Sequence, residues 1–306
     1  MQALKISVVL ALSTAVMWAA PPKPDTKPSS ASIDPAYHQS FEKWKAELVD
    51  NRKQNWLTLA GLFWLKPGEN SFGSDPKNAI VFPKGPAHAG VFVLEGKDVT
   101  LKSALDAHTT VAGKEVLTLK LDPDTSTKPT VVDMGTLRFK VIVRGQRIGI
   151  RLKDSESPAV QAYRGAFFYP LNLSYRVVAK WVPSTNPKTI DVPNILGDIE
   201  PTPVPGEAVF TLNGKEYRLS ALGGEATNGF FFVFNDLTSK TDTYPAGRFL
   251  DTEPAKDGTV VLDFNEAYNP PCSVTPYATC PLPPKENRLT VAVEAGEKYD
   301  RVHGHH

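Results

Sequence analysis

The feature that most limits the fold of this chain is an alternation of apolar and polar residues with period two, which recurs after residue 50. It is clearest in two hairpin patterns, LRFKVIVRG-QRIGIRL (137 to 152) and VFTL-NG-KEYRL (209 to 219), and Asn213-Gly214 in the second suits a type I′ turn. FFFVF (230 to 234), TVVLDF (259 to 264) and RLTVAV (288 to 293) predict further strands. Because no long helical pattern follows residue 50, we expect an all-β body, and 27 prolines in short clusters favour the same class.

The N-terminal 33 residues predict export and a tether. Lys5 precedes an apolar run from Ile6 to Trp18, which is short for a membrane-spanning helix and has the length of a signal-peptide core. We therefore interpret residues 1–20 as a signal peptide, with an uncleaved anchor as the alternative, and residues 21–33 as a disordered Pro/Ser-rich linker. The expected location is periplasmic or secreted, with no membrane partner after signal removal.

One amphipathic helix is expected at residues 34–55. Asp34-Pro35 has the form of an N-cap followed by proline at the first helical position. Tyr37, Phe41, Trp44 and Leu48 then recur at helical spacing and form one apolar stripe. We expect this stripe to dock the helix on the β-structure.

The first half, residues 56–155, resembles a forkhead-associated (FHA) β-sandwich. The resemblance depends on Gly73, His88 and Gly113, which match scaffold positions of that family. Its phosphate-reading positions are changed, since Ser74, Gly85 and Ala112 stand where the family has arginine, serine and asparagine. Reading phosphothreonine needs charge-assisted donors. We therefore expect an FHA-like sandwich that binds no phosphothreonine peptide.

The second half resembles the DUF1684 family of bacterial proteins. The resemblance is carried by FNDLTSKTDTYPAGRFL (234 to 250), LDFNEAYNPPCSVTPYATCPLPPKENRL (262 to 289) and EAGEK (294 to 298), with WLTLAGLFWLKPGENSFGSD (56 to 75) upstream. It implies a relationship over roughly residues 50 to 299 and no particular activity. We expect a second antiparallel β-domain, a barrel or a sandwich, at residues 156–300 with its motif region at 234–298, and a His-rich tail at 301–306.

The second half lacks the residues that several common catalytic and binding chemistries require. Its histidines, His303, His305 and His306, all lie in the tail, so nucleophile systems that need a placed imidazole are not expected. Two cysteines lack the partners of a usual zinc site, and no glycine-rich phosphate loop is present. A formal net charge of +1 gives no reason to expect nucleic acid. We predict no metal and no cofactor.

Carboxylates, arginines and amides remain as candidate site residues. Paired carboxylates could act as general acid and base, and arginine suits a carboxylate or phosphate ligand. The catalytic candidates are Asp236, Asp263 and Tyr244, and the ligand-binding candidates are Thr238, Arg248, Asn265, Asn269 and Arg288. A purely structural role for each of them, in turns and strand-end hydrogen bonds, is the competing interpretation.

The proline-rich loop between two predicted strands carries both cysteines. Cys272 and Cys280 are an even count in a chain that we expect to be exported, so we predict a disulfide between them. An ordered loop of this length without regular structure usually needs such a staple or a function. We expect the loop also to line the site.

Two classes of function fit these residues. The first is an exported binding protein for a small polar or anionic molecule, and the second is a histidine-free, carboxylate-based hydrolase or lyase. A protein-interaction module is a third possibility. A cavity holding two carboxylates at catalytic spacing would favour the enzyme, whereas a cavity with a lone arginine and aromatic walls would favour binding.

Overall fold

A computed structural model describes residues 33–186, 188–225 and 227–301. The predicted signal peptide, nearly all of the predicted linker and the tail after Arg301 lie outside these residues. Across the part of the chain that is described, no helix is both long enough and apolar enough to cross a membrane.

The body of the protein consists of strands in several sheets, which confirms the all-β prediction. We number the strands β1 to β20 along the chain. The N-terminal half contains β1 (Leu59–Trp64), β2 (Gly68–Gly73), β3 (Ile80–Val81), β4 (Gly90–Glu95), β5 (Asp98–Ser103), β6 (Thr110–Val111), β7 (Lys114–Glu115), β8 (Thr118–Leu121), β9 (Val132–Met134), β10 (Leu137–Arg144) and β11 (Arg147–Asp154).

These eleven strands form two sheets that share one core. The first sheet has the order β1-β11-β10-β9-β6-β7, and the second has the order β3-β2-β4-β5-β8. Phe72 and Phe92 of the second sheet stack with ring centroids 4.3 Å apart, and Phe139 of the first sheet meets Phe92 edge-on at 5.5 Å. The core between the sheets is therefore aromatic at its centre. The likeness of this sandwich to an FHA domain stays a prediction.

The C-terminal half contains nine strands in smaller sheets. They are β12 (Arg176–Pro183), β13 (Thr189–Pro193), β14 (Ile199–Pro203), β15 (Gly206–Leu212), β16 (Lys215–Ser220), β17 (Gly224–Glu225), β18 (Gly229–Phe234), β19 (Arg248–Asp251) and β20 (Thr259–Asp263). The sheets have the orders β16-β15-β12-β20, β17-β18-β19 and β13-β14. None of these described sheets closes into a barrel. The core of this half includes Phe210, Phe232, Phe234 and Phe264.

Both predicted hairpins are confirmed. β10 and β11 pair from Leu137↔Asp154 to Arg144↔Arg147, and β15 and β16 pair around the Asn213-Gly214 turn. Asn213 and Gly214 both have positive φ, at 52° and 77°, as a type I′ turn requires. FFFVF lies in β18, and β20 covers Thr259–Asp263 of TVVLDF.

The predicted strand RLTVAV is wrong, because residues 288–293 have an irregular backbone with one isolated bridge, Asn235↔Arg288. Backbone groups of this segment, which would bond a neighbouring strand in a sheet, bond side chains and the Leu237 amide instead. Asp236 accepts from the Val293 amide at 3.1 Å, Arg248 donates to the Val293 carbonyl at 3.0 Å, and the Leu237 amide donates to Val291 O.

The N-terminal helix α1, Pro35–Asn51, docks on the C-terminal half. It begins as predicted, with the Asp34 carboxylate accepting from the Ala36 amide and proline in the first turn. Phe41 and Trp44 both pack edge-on against Phe168, with ring centroids 5.8 and 5.7 Å apart. One π-helical turn, Arg52–Trp56, continues the helix towards β1. A short helix α2, Pro158–Ala162, follows the sandwich.

Candidate functional site

A cavity of about 370 Å³ lies where the end of α1 meets the C-terminal half. Its walls come from four separate parts of the chain: the π-helical turn, α2 with the segment after it, the proline-rich loop, and the C-terminal segment. The lining residues are Arg52, Leu57, Ala159, Ala162, Tyr163, Arg164, Gly165, Phe167, Asn269, Ser273, Val274, Glu297, Lys298, Tyr299 and Asp300.

A buried ion pair between Arg52 and Glu297 forms one wall of the cavity. The pair is bidentate, with Arg52 Nη1 at 2.6 Å from Glu297 Oε1 and Nη2 at 2.5 Å from Oε2. The side chains are only 1% and 5% exposed. Burial alone would lower the pKa of Arg52, but the adjacent Glu297 carboxylate raises that pKa above its ordinary value. The pair therefore stays charged and fixed in orientation.

Local backbone geometry brings these two side chains together. Arg52 opens the π-helical turn, a rare form that is frequent at functional sites. Glu297 follows Gly296, whose φ is +77° and whose missing Cβ would lie 2.6 Å from the carbonyl oxygens of Phe264 and Ala267. Only glycine allows this close approach. The Glu297 amide then donates to Ala267 O at 2.7 Å.

Asn269 and Tyr163 extend the polar wall. The Asn269 amide donates to Glu297 Oε2 at 2.7 Å, and its Nδ2 donates to Lys298 O at 2.9 Å. Asn269 Oδ1 is buried without a hydrogen-bond partner. Tyr163 accepts from Arg52 Nη1 at 3.0 Å, and burial raises the pKa of its hydroxyl. The wall thus offers a protonated hydroxyl and a free acceptor.

The rest of the cavity combines apolar walls with a charged rim. Leu57, Val274 and the half-exposed Phe167 are apolar. Arg164 is exposed and makes no ion pair among the described residues, whereas Lys298 Nζ lies 3.9 Å from Asp242 Oδ1. No group of three or more His, Cys, Asp or Glu in the described ranges could hold a metal ion.

Three of the predicted site residues form a separate buried network. Arg248 Nη2 lies 2.7 Å from Asp236 Oδ2, and both side chains are 0% exposed. Asp236 Oδ1 also accepts from the amide and the hydroxyl of Thr238, at 2.8 and 2.6 Å. Arg248 directs its remaining Nη donors to the carbonyls of Ala295 and Val293. None of these three residues lines the cavity next to Arg52 and Glu297, and their partners are those of a structural network.

Asp263 and Asn265 meet the N-terminal helix. The hydroxyl of Tyr37 donates to Asp263 Oδ2 at 2.9 Å, and Arg176 Nε lies 3.2 Å from the same oxygen. Asn265 Nδ2 donates to Asp263 Oδ1 and to the carbonyl of Asn172, both at 3.0 Å. The predicted carboxylates Asp236 and Asp263 therefore have separate sets of partners.

The remaining predicted residues are spread between two places. Tyr244 is buried, donates to Cys272 O at 3.1 Å and packs against Tyr299, and burial raises the pKa of its hydroxyl. Arg288 is exposed and lines a second, more open groove with Thr189, Asp191 and Lys285. Of all the predicted residues, only Asn269 lines the cavity described above.

The predicted disulfide is absent, because Cys272 and Cys280 are free thiols that are not at disulfide distance. Hydrogen bonds hold the loop instead. The Cys272 amide donates to Cys280 Sγ at 3.3 Å, and Ser273 Oγ donates to Pro270 O at 2.7 Å. The loop nevertheless contributes Asn269, Ser273 and Val274 to the cavity.

Sequence reasoning missed the residues that dominate the cavity, namely Arg52, Tyr163 and Arg164. Arg52 stands in the predicted helix of residues 34–55 but outside its apolar stripe, and Tyr163 follows the predicted division between the two halves at residues 155 and 156. Glu297 lies in the EAGEK motif, where the order glycine–glutamate could have indicated it as a candidate site residue. A glycine before a carboxylate in a region without strand periodicity indicates a close backbone approach.

Comparison with known proteins places this all-β chain in a family. The family model described as "Protein of unknown function (DUF1684)" matches residues 161–298. A solution NMR structure of an uncharacterised protein from Haloarcula marismortui is 30% identical, with 47% of this chain and 80% of that chain covered and a TM-score of 0.40. The chain belongs to the DUF1684 family. No curated protein matches it.

Replacing Arg248 tests whether the Asp236 network is structural. Arg248→Ala leaves a buried carboxylate without its partner, so the free energy of unfolding should fall by about 3–5 kcal/mol. Arg218→Ala is the control, because Arg218 is 59% exposed and its ion pairs should contribute less than about 1 kcal/mol. Urea unfolding measures both. A fully stable Arg248→Ala protein would contradict the structural assignment.

Glu266 should make stability depend on pH. Burial, followed by the adjacent Asp263 carboxylate, raises the pKa of Glu266 from 4.5 to about 7. The folded state then binds this proton more tightly than the unfolded chain does, so the contribution of Glu266 to stability should be lost as pH rises from 4.5 to about 7.

The matched variant is Glu266→Gln, which keeps the shape and removes the titration. Its urea midpoint should exceed that of the wild type at about pH 8 and equal it at about pH 4. Glu216→Gln is the control, because Glu216 is 63% exposed. An equal difference between Glu266→Gln and wild type at both pH values would contradict the prediction.

Proposed function

We propose that this chain is an exported protein that binds a small polar or anionic molecule in the cavity between α1 and the C-terminal half. The observation that carries the proposal is a cavity wall built from buried, oriented polar groups, Arg52, Glu297 and Asn269. Ligand sites typically combine apolar walls with a few placed polar groups, and this cavity has both.

Apart from the Arg52–Glu297 pair, the charged lining residues are Arg164, Lys298 and Asp300, which leave one positive charge in excess and so favour an anionic group on the ligand. Arg52 and Glu297 neutralise each other, so they add no net charge to the wall. Arg164 has no carboxylate partner among the described residues, and its planar guanidinium suits a carboxylate or a phosphate. The Tyr163 hydroxyl keeps its proton at neutral pH and can donate to a ligand oxygen.

The arrangement favours binding over carboxylate-based hydrolysis or lysis. Asp236 and Asp263 are held by separate partners and line neither cavity, and Tyr244 donates to a backbone carbonyl. Two carboxylates line the cavity, Glu297 and Asp300, and Glu297 is committed to Arg52 and to the Asn269 amide. Arg52 is neutralised by Glu297, so Arg164 is the arginine without an ion pair among the described lining residues, and with the aromatic side chains it fits the binding class.

A thermal-shift screen of small polar and anionic molecules tests the proposal. A true ligand stabilises the native state by mass action, by about 2.7 kcal/mol at 100 times its Kd. Arg164→Gln should leave the unliganded melting temperature unchanged, since Arg164 is exposed, and should weaken binding about tenfold. Tyr163→Phe should also weaken binding, by removal of one donor.

Arg218→Gln is the control, because it removes an exposed arginine that lies outside the cavity lining. Equal protection of wild type and Arg164→Gln by every hit would place the ligand elsewhere. The absence of any hit would favour the interaction-module alternative.

Export is the second part of the proposal, and the apolar segment before the linker supports it. Fractionation of a tagged chain should place it outside the cytoplasm, with a mature N-terminus near residues 19 to 21. Cytoplasmic protein that begins at Met1 would contradict export. A membrane-bound chain that retains residue 1 would support the anchor instead.

A further inference from the structure

The outer face of the β10–β11 hairpin carries an unusual concentration of positive charge. From Leu137↔Asp154 to Arg144↔Arg147, successive side chains of the two strands point alternately to the sandwich core and to the outer face. Six of the eight outward positions are basic, and the other two, Ile142 and Gly149 in the middle of the face, are themselves buried. The six are Arg138, Lys140, Arg144, Arg147, Arg151 and Lys153. We call this surface the basic face.

Half of these cations have carboxylate partners and half do not. Arg138 pairs with Asp133, Arg144 with Asp124, and Arg147 with Asp198. Among the described residues, no carboxylate pairs with the remaining three cations, which are Lys140, Arg151 and Lys153. Lys153 instead donates to the neutral Asn55 side chain at 2.9 Å, and Arg151 to the Thr279 hydroxyl at 3.2 Å.

The three unpaired cations are neighbours. Lys140 stands directly opposite Arg151 in the register, where Cβ atoms are about 5 Å apart and like charges are destabilising. Lys153 lies two residues further along the same strand, about 7 Å from Arg151. Burial and the neighbouring cations lower the pKa of both Arg151 and Lys153. The folded protein thus holds three like charges close together without an ion pair to any of them, and the Asp124 carboxylate, which pairs with Arg144, only partly offsets the lowering of the Arg151 pKa.

The surroundings of Arg151 favour a small anion. Arg151 lies at the seam between the two halves, where Arg144 Nε and Arg151 Nη2 donate to the same Thr279 oxygen, at 3.0 and 3.2 Å. Since both donors reach that oxygen, the Thr279 proton is free to donate to a further acceptor. Arg151 Nε is buried without a partner. These groups are all donors, and the half-buried seam leaves little access for a large rigid polymer.

We propose that the basic face binds a small multivalent oxyanion of phosphate or polyphosphate chemistry, with Lys140, Arg151 and Lys153 as its counter-charges. A phosphate group brings about two negative charges to one site, whereas a carboxylate brings one. Arginine presents a planar fork that matches phosphate, and lysine adds a compact point charge. This site is separate from the cavity of the proposed function, and none of its three cations lines that cavity.

The experiment measures binding of tripolyphosphate to the full chain by calorimetry and thermal shift at low ionic strength. Tripolyphosphate should raise the melting temperature more than sodium chloride of equal ionic strength does. Arg151→Met and Lys140→Met should each weaken binding about tenfold or more, the loss expected for a charged hydrogen bond. Lys120→Met is the control, because Lys120 is exposed on the other sheet and should leave binding unchanged.

A second readout separates this role from a structural one. Because each methionine variant removes one of two opposed like charges, its melting temperature without anion should equal or exceed that of the wild type. If the cations only hold the two halves together, both variants should melt lower and tripolyphosphate should act like chloride, and that result would overturn the proposal. Binding of anionic vesicles or duplex DNA through these residues, without binding of tripolyphosphate, would also overturn it.

Discussion

The ion pair between Arg52 and Glu297 fixes how the two ends of the described chain meet. Its members are 245 residues apart in sequence, and each is almost fully buried. Removing two charges from water is costly, and this geometry offsets the cost by satisfying both carboxylate oxygens and both Nη groups of the guanidinium. The end of α1, the proline-rich loop and the C-terminal segment all meet at this contact.

The C-terminal half relies on side chain–backbone hydrogen bonds where the N-terminal half relies on sheets. Arg248 and Asp236 together bond backbone groups of Thr238, Val293 and Ala295. Asn287 does the same at the ends of two strands, accepting from the Ser220 amide and donating to Ser220 O and Val233 O. These networks hold irregular segments in place around the cavity, although Arg248 Nε is buried without a partner among the described residues.

Local patterns in the sequence were sufficient to predict the elements whose shape depends on local forces. The two hairpins and the cap of α1 follow from period-two alternation, from Asn213-Gly214 and from Asp34-Pro35. RLTVAV has the right alternation for a strand, yet Asp236 and Arg248 bond its backbone instead. The sequence does not separate ligand-binding residues from structural ones, because a polar side chain near a strand end gives the same pattern whether it faces a ligand or a backbone carbonyl. Arg52 could not be found from the helix pattern, since burial of its charge depends on a partner at the other end of the chain.

The docking of α1 on the C-terminal half also imposes an order on folding. During synthesis the helix leaves the ribosome before the sandwich, but its aromatic stripe packs against Phe168 and Tyr268, which are made much later. The sandwich between them has its own core and can fold while the helix waits with its apolar side chains exposed to water. Closing the C-terminal half then requires contacts across nearly the whole chain, and such long-range contacts form slowly. The first helix of the described chain should therefore be among the last elements to reach its final position.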